Sequence, residues 1–429
     1  MGMHADPELV LATLFRRQSG RMIGALVRML GVQRVDLAED IVQETLLAAL
    51  QAWRLGMPRD PEGWLFAVMR NRVRDALRRD RVRARVITPE ALADDAAAAE
   101  PAFDPDDESG DLLRMMFSCC HPSLTDDGRT ALILKLVCGF GTAEVACAFL
   151  ADRAAMEKRL TRAKKVLADD GVLYEVSTPE QARERLPAVM TALYLMFDAG
   201  YHGSATPEPI RADLCAEAIR LATLLVDAPA TSSPEVHALV ALMCLHAARM
   251  PARLDAAGSL VPFERQDRTL WDGELVSLGM QHLGASANGG ELTAYHLEAG
   301  IAAQHAMARS VRETPWSEIA RLYDLLYARK RTPVVALGRA IARAELVGPR
   351  DGIDEVLAIE SREKLEAYPF FWAALGDLAL RAGDTPRARS WLERGAATAR
   401  NDAERAMFFR RLGECGRASC SCPTARVPS

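Results

Sequence analysis

Arginines crowd one stretch of the chain in a pattern that suits contact with nucleic acid. Between Arg59 and Arg85 there are nine arginines and four acidic residues. In the segment 64–79, WLFAVMRNRVRDALRR, apolar residues recur at steps of three and four, which predicts a helix with one buried face. Guanidinium groups pair bidentately with phosphates, and aromatic faces stack on unpaired bases. The candidate contacts are Trp64, Arg70, Asn71, Arg74, Arg78 and Arg79.

The same pattern also has a plain structural interpretation, because arginine is common throughout the chain. Of the 53 basic residues, 47 are arginines, and an Arg-rich helix face is often only a solvated surface. This stretch by itself does not distinguish a nucleic-acid-binding face from an ordinary solvated face.

A second basic stretch, Gly139 to Gly171, is typical of two helices joined by a short turn. Thr142 is a candidate N-cap for the first helix, and the turn is predicted near Ala151–Arg153. Between Arg153 and Lys165 there are six basic residues and one acidic residue, the charge expected of a recognition helix that enters a DNA major groove. A basic helical hairpin that binds protein is the alternative. The outward candidates are Arg153, Lys158, Thr161, Arg162 and Lys165.

The cysteines and histidines do not form a metal or catalytic motif. Cys119, Cys120 and His121 are consecutive, and consecutive residues on a helix point about 100° apart. The sequence contains no CxxC pair, no GxSxG, no Walker loop and no HExxH. We therefore predict no catalytic residue, no metal site and no cofactor, and we interpret the thiols, including Cys415, Cys420 and Cys422, as buried or spare.

Composition predicts a multidomain protein of the reducing cytoplasm. The 429 residues correspond to two or three domains, 49% are apolar, and the net charge of −5 gives no global sign of a nucleic-acid partner. Nine cysteines are an odd number, and Met1–Asp6 has neither a basic nor an apolar segment. The longest apolar stretch, Leu186–Phe197, is shorter than the roughly 20 residues of a membrane span.

Charge changes sharply along the first quarter of the chain. Residues 1–85 hold 15 arginines and 10 acidic residues, whereas residues 86–111 hold nine acidic residues, three prolines and no basic residue. The second stretch is predicted to be a flexible acidic linker, with a domain boundary there. An acidic helix of a continuous domain is the alternative.

Both flanks of this linker, and the rest of the chain, show helical rather than strand periodicity, so the predicted fold class is all-α. In the segment 371–399, Trp372, Leu375, Gly376, Ala388 and Leu392 have the spacing of a tetratricopeptide (TPR) helix pair. One pair does not make a solenoid, and an ordinary helical hairpin is the alternative. Breaks between hairpins are predicted at Gly203–Pro209, Asp227–Pro234, Ala285–Gly290, Arg331–Pro333 and Gly348–Gly352.

The two basic stretches, their order and the acidic linker between them together resemble bacterial extracytoplasmic-function sigma factors. The resemblance covers residues 8–85 and 111–172. Residues 36–53, from DLAEDIVQET to Trp53, resemble the helix of sigma domain two that docks on RNA polymerase. Residues 64–79 resemble its −10 element contact, and the second stretch resembles the −35 contact of sigma domain four. FSCCHPSL, RADLCAEAIRL and ERQDRTLWD resemble a subgroup with a fused helical, TPR-like extension.

This resemblance implies a transcription initiation factor without enzymatic activity, whose partners are core RNA polymerase and promoter DNA. The resemblance of the C-terminal region implies that the extension regulates the sigma factor. The expected partner of that helical region is a protein or a ligand. The residues implied to meet polymerase are Asp36, Glu39, Asp40, Gln43 and Glu44. The implied domains are 1–85 (domain two), 86–111 (linker), 112–172 (domain four, a helix-turn-helix), 173–290 (helical extension) and 291–429 (helical, TPR-like).

Two other functions fit part of the sequence. A one-component helix-turn-helix regulator with a ligand- or partner-sensing C-terminal region accounts for residues 139–429, but it leaves the helices at 36–53 and 64–79 without a role. A TPR scaffold accounts only for the C-terminal region. Binding to core RNA polymerase distinguishes a sigma factor from both.

Overall fold

The computed structural model describes residues 7–87, 108–174, 178–203 and 208–420. The prediction of an all-α fold is confirmed: no β-strand occurs in these ranges, and the only extended pairing among them is a single antiparallel bridge between Leu254 and Leu260. No helix of the described part is long and apolar enough to cross a membrane.

Contacts between described residues divide the chain into two compact units. The first unit comprises the chain up to Phe197 together with Ala216–Ser232, and the second comprises Asp198–Cys215 together with Ser233–Ser429. Helices α9 and α10 therefore each contribute to both units. The helices that begin in the first unit are α1 (Pro7–Leu30), α2 (Val35–Ala52), α3 (Pro61–Ile87), α4 (Glu108–Ser118), α5 (Asp126–Leu136), α6 (Thr142–Ala148), α7 (Arg153–Asp170), α8 (Pro179–Arg183) and α9 (Leu186–His202).

The second unit is a succession of helices, mostly joined by short connections. The long exception is the segment 248–272 between α11 and α12, which contains three short 3₁₀ turns. The helices are α10 (Ala212–Asp227), shared with the first unit, then α11 (Pro234–Ala247), α12 (Gly273–Ser286), α13 (Ala294–Met307), α14 (Trp316–Arg329), α15 (Pro333–Val347), α16 (Pro349–Leu357), α17 (Pro369–Arg381), α18 (Thr385–Thr398) and α19 (Asp402–Cys420).

Most predicted breaks fall between consecutive helices. At the last one only Gly348 interrupts the chain, because Pro349 starts α16 at its first turn, where the missing N–H costs nothing. The predicted linker 86–111 is shorter than expected, since α3 continues to Ile87 and α4 begins at Glu108. The remainder of that linker, 88–107, lies outside the described residues.

Helices α17 and α18 form the helix pair predicted at 371–399. All five residues that defined the pattern are buried. Gly376 lies against Leu392, and a Cβ at position 376 would come within 2.6 Å of the leucine Cδ2. Glycine is therefore required there by the close approach of the two helices, which is the packing that the spacing indicated.

Candidate nucleic-acid interface

Helix α7 exposes a continuous basic row and buries its opposite face. Asp152 caps its first turn, with a side-chain oxygen that accepts hydrogen bonds from the N–H groups of Ala154 (2.9 Å) and Ala155 (3.1 Å). The apolar residues at steps of three and four, Met156, Leu160, Ala163 and Leu167, are at most 4% exposed. The residues predicted to face outward are all exposed: Arg153, Lys158, Thr161, Arg162 and Lys165.

Three of these exposed side chains carry charge that no described residue neutralises. Lys158, Arg162 and Lys165 form no ion pair with any described residue. Arg153 differs, because its Nε lies 3.0 Å from the Glu157 carboxylate. A row of unpaired cations along one helix is the arrangement that phosphate groups of DNA would neutralise.

The turn before α7 is tight. Helix α6 ends at Ala148, and the intervening residues include Leu150, which has a positive φ of 49° and is 96% exposed. The prediction that Thr142 caps α6 is wrong: Thr142 is the first helical residue, and Gly141 precedes it with its N–H donated to the Glu144 carboxylate at 2.8 Å. The Glu144 side chain thus satisfies the N–H of the residue before the helix, which is the glutamate half of a capping box.

Helix α3, like α7, buries one apolar face and exposes a basic row on the other. Its inward residues Leu65, Met69, Val73 and Ala76 are at most 5% exposed. Trp64, at the start of the helix, is half-buried and meets Trp53 edge to face with ring centroids 5.6 Å apart. The remaining predicted contacts are all exposed: Arg70, Asn71, Arg74, Arg78 and Arg79.

Helix α2 presents four of its five predicted polar residues to solvent. Asp36, Asp40, Gln43 and Glu44 are exposed, and Glu44 is ion-paired with Arg72 of α3. Glu39, which the resemblance also implied to meet polymerase, does not belong to this exposed row, because its side chain is only 10% exposed. It lies on the inner side of α2, where α5 and α7 pack.

Glu39 is the centre of an ion-pair cluster between α2 and helices α5 and α7. Its carboxylate lies 2.8 Å from Lys135 Nζ of α5 and 3.1 Å from Lys164 Nζ of α7. Lys164 also contacts Asp36 at 2.6 Å. Burial alone would raise the pKa of Glu39, but the hydrogen bond and charge of Lys135, followed by those of Lys164, lower it below its usual value.

Two further contacts tie the segments on either side of the linker together. The side chains of Arg16 in α1 and Glu144 in α6 are 3.2 Å apart. Gly20 of α1 lies so close to the end of α5 that a Cβ there would come within 2.3 Å of the Val137 carbonyl oxygen. The described parts of 1–85 and 112–172 therefore pack as one unit.

Sequence reasoning missed two residues on the exposed side of α2. Leu47 is 57% exposed and Leu50 is 40% exposed, and they continue the line of Asp36, Asp40 and Gln43 at helical spacing. The sequence does contain a signal for them, because Leu47 and Leu50 follow the exposed polar residues at the same three- and four-residue steps. Exposed leucines beside carboxylates form a mixed stripe suited to a partner protein.

The cysteines of the conspicuous CCH triplet are buried. Burial raises the pKa of Cys120 to about 12 and also raises the pKa of Cys119, so both are protonated thiols at neutral pH. His121 lies 3.3 Å from Asp170. The described residues contain no grouping of three or more His, Cys, Asp or Glu that could hold a metal ion.

Comparison with known proteins places these helices in a family. Residues 14–83 match the family model described as Sigma-70 region 2, and residues 185–287 match a family of unknown function, DUF6596. The chain is 37% identical over 396 residues to an uncharacterized protein of Rhizobium meliloti (strain 1021), covering 91% of this chain and 92% of that protein. No solved structure matches significantly.

A second relative has a named role. The chain is 33% identical over 135 residues to the RNA polymerase sigma factor CarQ of Myxococcus xanthus, covering 31% of this chain and 72% of that protein. The protein therefore belongs to the family of RNA polymerase sigma factors. Members of this family are non-enzymatic transcription initiation factors, and region 2 implies interaction with core RNA polymerase and promoter DNA.

Proposed function

We propose that this sigma factor is of the extracytoplasmic-function type, with 1–85 as domain two, 112–172 as domain four and the later residues as a TPR-like regulatory extension. In this proposal α6 and α7 form a helix-turn-helix that recognises the −35 element through α7. The exposed face of α3 meets the −10 element and the opened strand, near Trp53 and Trp64. The outer stripe of α2, from Asp36 to Leu50, docks on core polymerase.

The observation that carries this proposal is the pair of exposed basic rows on α3 and α7, in a chain whose net charge is −5. Each row alone neutralises few phosphates and would bind DNA weakly, because affinity grows with the number of ions released. If polymerase holds both rows on one promoter, two weak contacts become one bivalent contact.

The ion-pair cluster around Glu39 supports a closed state of the free protein. The −10 and −35 elements are about 25 base pairs apart, or roughly 85 Å at ~3.4 Å per base pair. Helices α2 and α7 each have 18 residues and are therefore about 27 Å long. With α7 docked on α2 beside α3, the two basic rows lie too close together to reach both elements, so this contact opens when the promoter is bound.

Replacing Lys158, Arg162 and Lys165 of α7 by alanine is expected to weaken promoter binding. Loss of Arg162 alone costs about 1–3 kcal/mol if it bonds a guanine edge, and it relaxes specificity at one base position. The triple variant also lowers the slope of log K against log salt by up to about three, because each phosphate contact contributes ~0.9. Fluorescence anisotropy of the holoenzyme on labelled promoter DNA at several salt concentrations measures both effects.

The matched control is Arg387→Ala, which removes an exposed, ion-paired arginine of α18. It should leave binding and salt slope unchanged. If the triple variant binds promoter DNA with the affinity and salt slope of the wild type, α7 does not contact the DNA.

Substitutions in the outer stripe of α2 are expected to reduce the affinity for core polymerase more than the affinity for promoter DNA. The double variant Asp40→Arg, Leu47→Ala reverses one charge and removes one exposed apolar contact, which should raise the Kd for core polymerase by at least tenfold. Biolayer interferometry with immobilised core enzyme measures this. Asp126→Arg, at a side chain 92% exposed on α5, serves as the control, and equal Kd values for both variants would contradict the assignment.

A further inference from the structure

The second unit contains a cluster of arginines and aromatic rings that the transcription role does not use. The guanidinium carbon of Arg249 lies 4.3 Å from the ring centroid of Phe263 and 5.5 Å from that of Trp271. Arg268 lies 5.6 Å and 5.3 Å from the same two rings. His305 meets Phe263 edge to face at 4.7 Å. Most of these residues belong to the segment 248–272, which includes the ERQDRTLWD motif.

Two of the arginines around this cluster have structural partners that balance their charge. Arg268 donates from Nη1 to the carbonyl oxygens of His305 (2.7 Å) and Ala308 (2.5 Å) at the C-terminal end of α13. Arg253 donates to the carbonyl oxygen of Tyr201 in the last turn of α9. Carbonyl groups at a helix C-terminus carry partial negative charge, so both cations are compensated.

Arg249 has no such compensation. Its Nε and Nη2 donate to the neutral amide oxygen of Gln266, at 3.3 Å and 3.2 Å, and it forms no ion pair with any described carboxylate. Its Nη1 makes no hydrogen bond to a described residue. Burial, together with the charges of Arg253 and Arg268, lowers the pKa of Arg249, which means that its positive charge is held against an unfavourable environment.

Three partly or fully buried carboxylates elsewhere in the second unit are paired with other residues. Asp198 lies 2.9 Å from His202, Glu404 lies 2.5 Å from Arg400, and Glu298 lies 3.3 Å from Lys330. Burial lowers the pKa of His246 and of His305 to about 3 in each case, so both imidazoles are neutral at physiological pH. The positive charge of the cluster therefore belongs to its arginines.

The cluster also holds polar ring atoms that no described group satisfies. His246 Nδ1, Trp271 Nε1 and His305 Nδ1 are buried without a hydrogen-bond partner among the described residues. Buried polar atoms are nearly always paired, and an unpaired one is destabilising. Phe263 and Trp271 are nevertheless only partly buried as residues, so the cluster lies at the protein surface.

We infer that Arg249 anchors a binding site for a small organic anion. A carboxylate or phosphate group pairs with the free side of its guanidinium fork, and an apolar or aromatic body packs against Phe263 and Trp271. Guanidinium geometry matches both headgroups bidentately, and the aromatic rings supply the apolar lining typical of small-molecule sites. The site lies in the part of the chain that matches the family of unknown function.

Isothermal titration calorimetry on the full-length chain tests this inference with benzoate, phenyl phosphate and the neutral benzamide. At least one of the two anions should bind, with a Kd at least tenfold lower than that of benzamide, and the comparison of benzoate with phenyl phosphate identifies the headgroup. Inorganic phosphate should bind more weakly than phenyl phosphate. The assay needs neither polymerase nor promoter, so its failure and the failure of the proposed function are distinguishable.

Arg249→Gln should weaken binding of the preferred anion at least tenfold, with circular dichroism as the test of folding. Arg321→Gln, at an exposed arginine paired with Glu318, should bind like the wild type. If the glutamine variant does not fold, Arg249→Lys and Phe263→Leu replace it. Arg249→Lys keeps the positive charge but loses the bidentate guanidinium geometry, so it should weaken anion binding. Phe263→Leu should weaken the binding of phenyl phosphate more than that of inorganic phosphate. No binding of either anion at millimolar concentration, equal binding of benzamide, or wild-type affinity in folded Arg249 variants would overturn the inference.

Discussion

A chain that ends at Ser232 is expected to support promoter-specific transcription at no more than a tenth of the full-length level when sigma factor is limiting. The removed residues, Ser233–Ser429, form most of the second unit, whereas all three proposed interfaces lie on α2, α3 and α7. A helical surface that contacts polymerase or DNA would act by adding contacts and raising the effective concentration of these interfaces. Its loss would therefore lower activity.

The position of the truncation matters because the first unit consists of two stretches of chain. Ending at Ser232 keeps Ala216–Ser232 in place. Ending near Leu173, where the proposed domain four ends, would remove Arg185, which donates to the Phe117 carbonyl oxygen at 3.0 Å and whose guanidinium carbon lies 3.3 Å from the Tyr174 ring centroid. A loss of activity in that shorter chain would therefore reflect damage to the first unit rather than the absence of the second.

Run-off transcription measures the effect, and circular dichroism with urea titration establishes that the chain ending at Ser232 is folded. Equal activity would make the second unit dispensable for initiation. Higher activity than the full-length chain would show the opposite of our proposal, namely that the extension is a built-in inhibitor.

Replacing Glu39 by glutamine is expected to lower the free energy of unfolding by about 3 kcal/mol. Removing one partner of a buried ion pair costs ~3–5 kcal/mol, because the remaining charge is left uncompensated. Here Lys135 and Lys164 would face each other, but both are slightly exposed and can turn toward water, which places the loss near the lower end of that range. Urea unfolding at neutral pH measures it.

The loss has a defined pH dependence. The pKa of Glu39 is lower in the folded protein than its usual value, so its contribution to stability is complete above the unfolded pKa of about 4.3. It declines as the pH falls through the folded pKa. The difference in unfolding free energy between wild type and Glu39→Gln should therefore be constant near neutral pH and shrink below about pH 4.

Asp40→Asn is the matched control, since Asp40 is one residue away, exposed and without an ion partner among the described residues. It should change stability by less than about 0.5 kcal/mol. Faster amide hydrogen exchange in α2 and α7 of the Glu39 variant alone would support the closed state, whereas equal stability of both variants would exclude a buried ion-pair cluster.

Local periodicity predicted the two basic faces well. On α3 and α7 the apolar residues repeat at three and four, and this repeat decides which side is buried, so Arg74, Arg78, Lys158 and Arg162 were placed correctly on exposed faces. The helix pair α17 and α18 was predictable for a similar reason, because the small residue Gly376 marks where a neighbouring helix approaches.

Features that depend on distant residues could not be predicted. Glu39 was expected among the residues that meet polymerase, but its side chain is buried, and only Lys135 and Lys164, about a hundred residues later in the chain, make that burial favourable. The site at Arg249 depends on 3₁₀ turns between α11 and α12, where neither helical nor strand periodicity applies. Its aromatic and cationic residues have no regular spacing.

Binding to core RNA polymerase, followed by initiation, tests the central claim most directly. Purified full-length chain is mixed with core enzyme free of other sigma factors, the complex is isolated by pull-down, and run-off transcription is measured on a promoter from the same genome. A sigma factor binds the core enzyme tightly and converts it to specific initiation at one start site. A chain that binds the promoter without core enzyme, or that binds core enzyme and yields no specific transcript, would contradict the account.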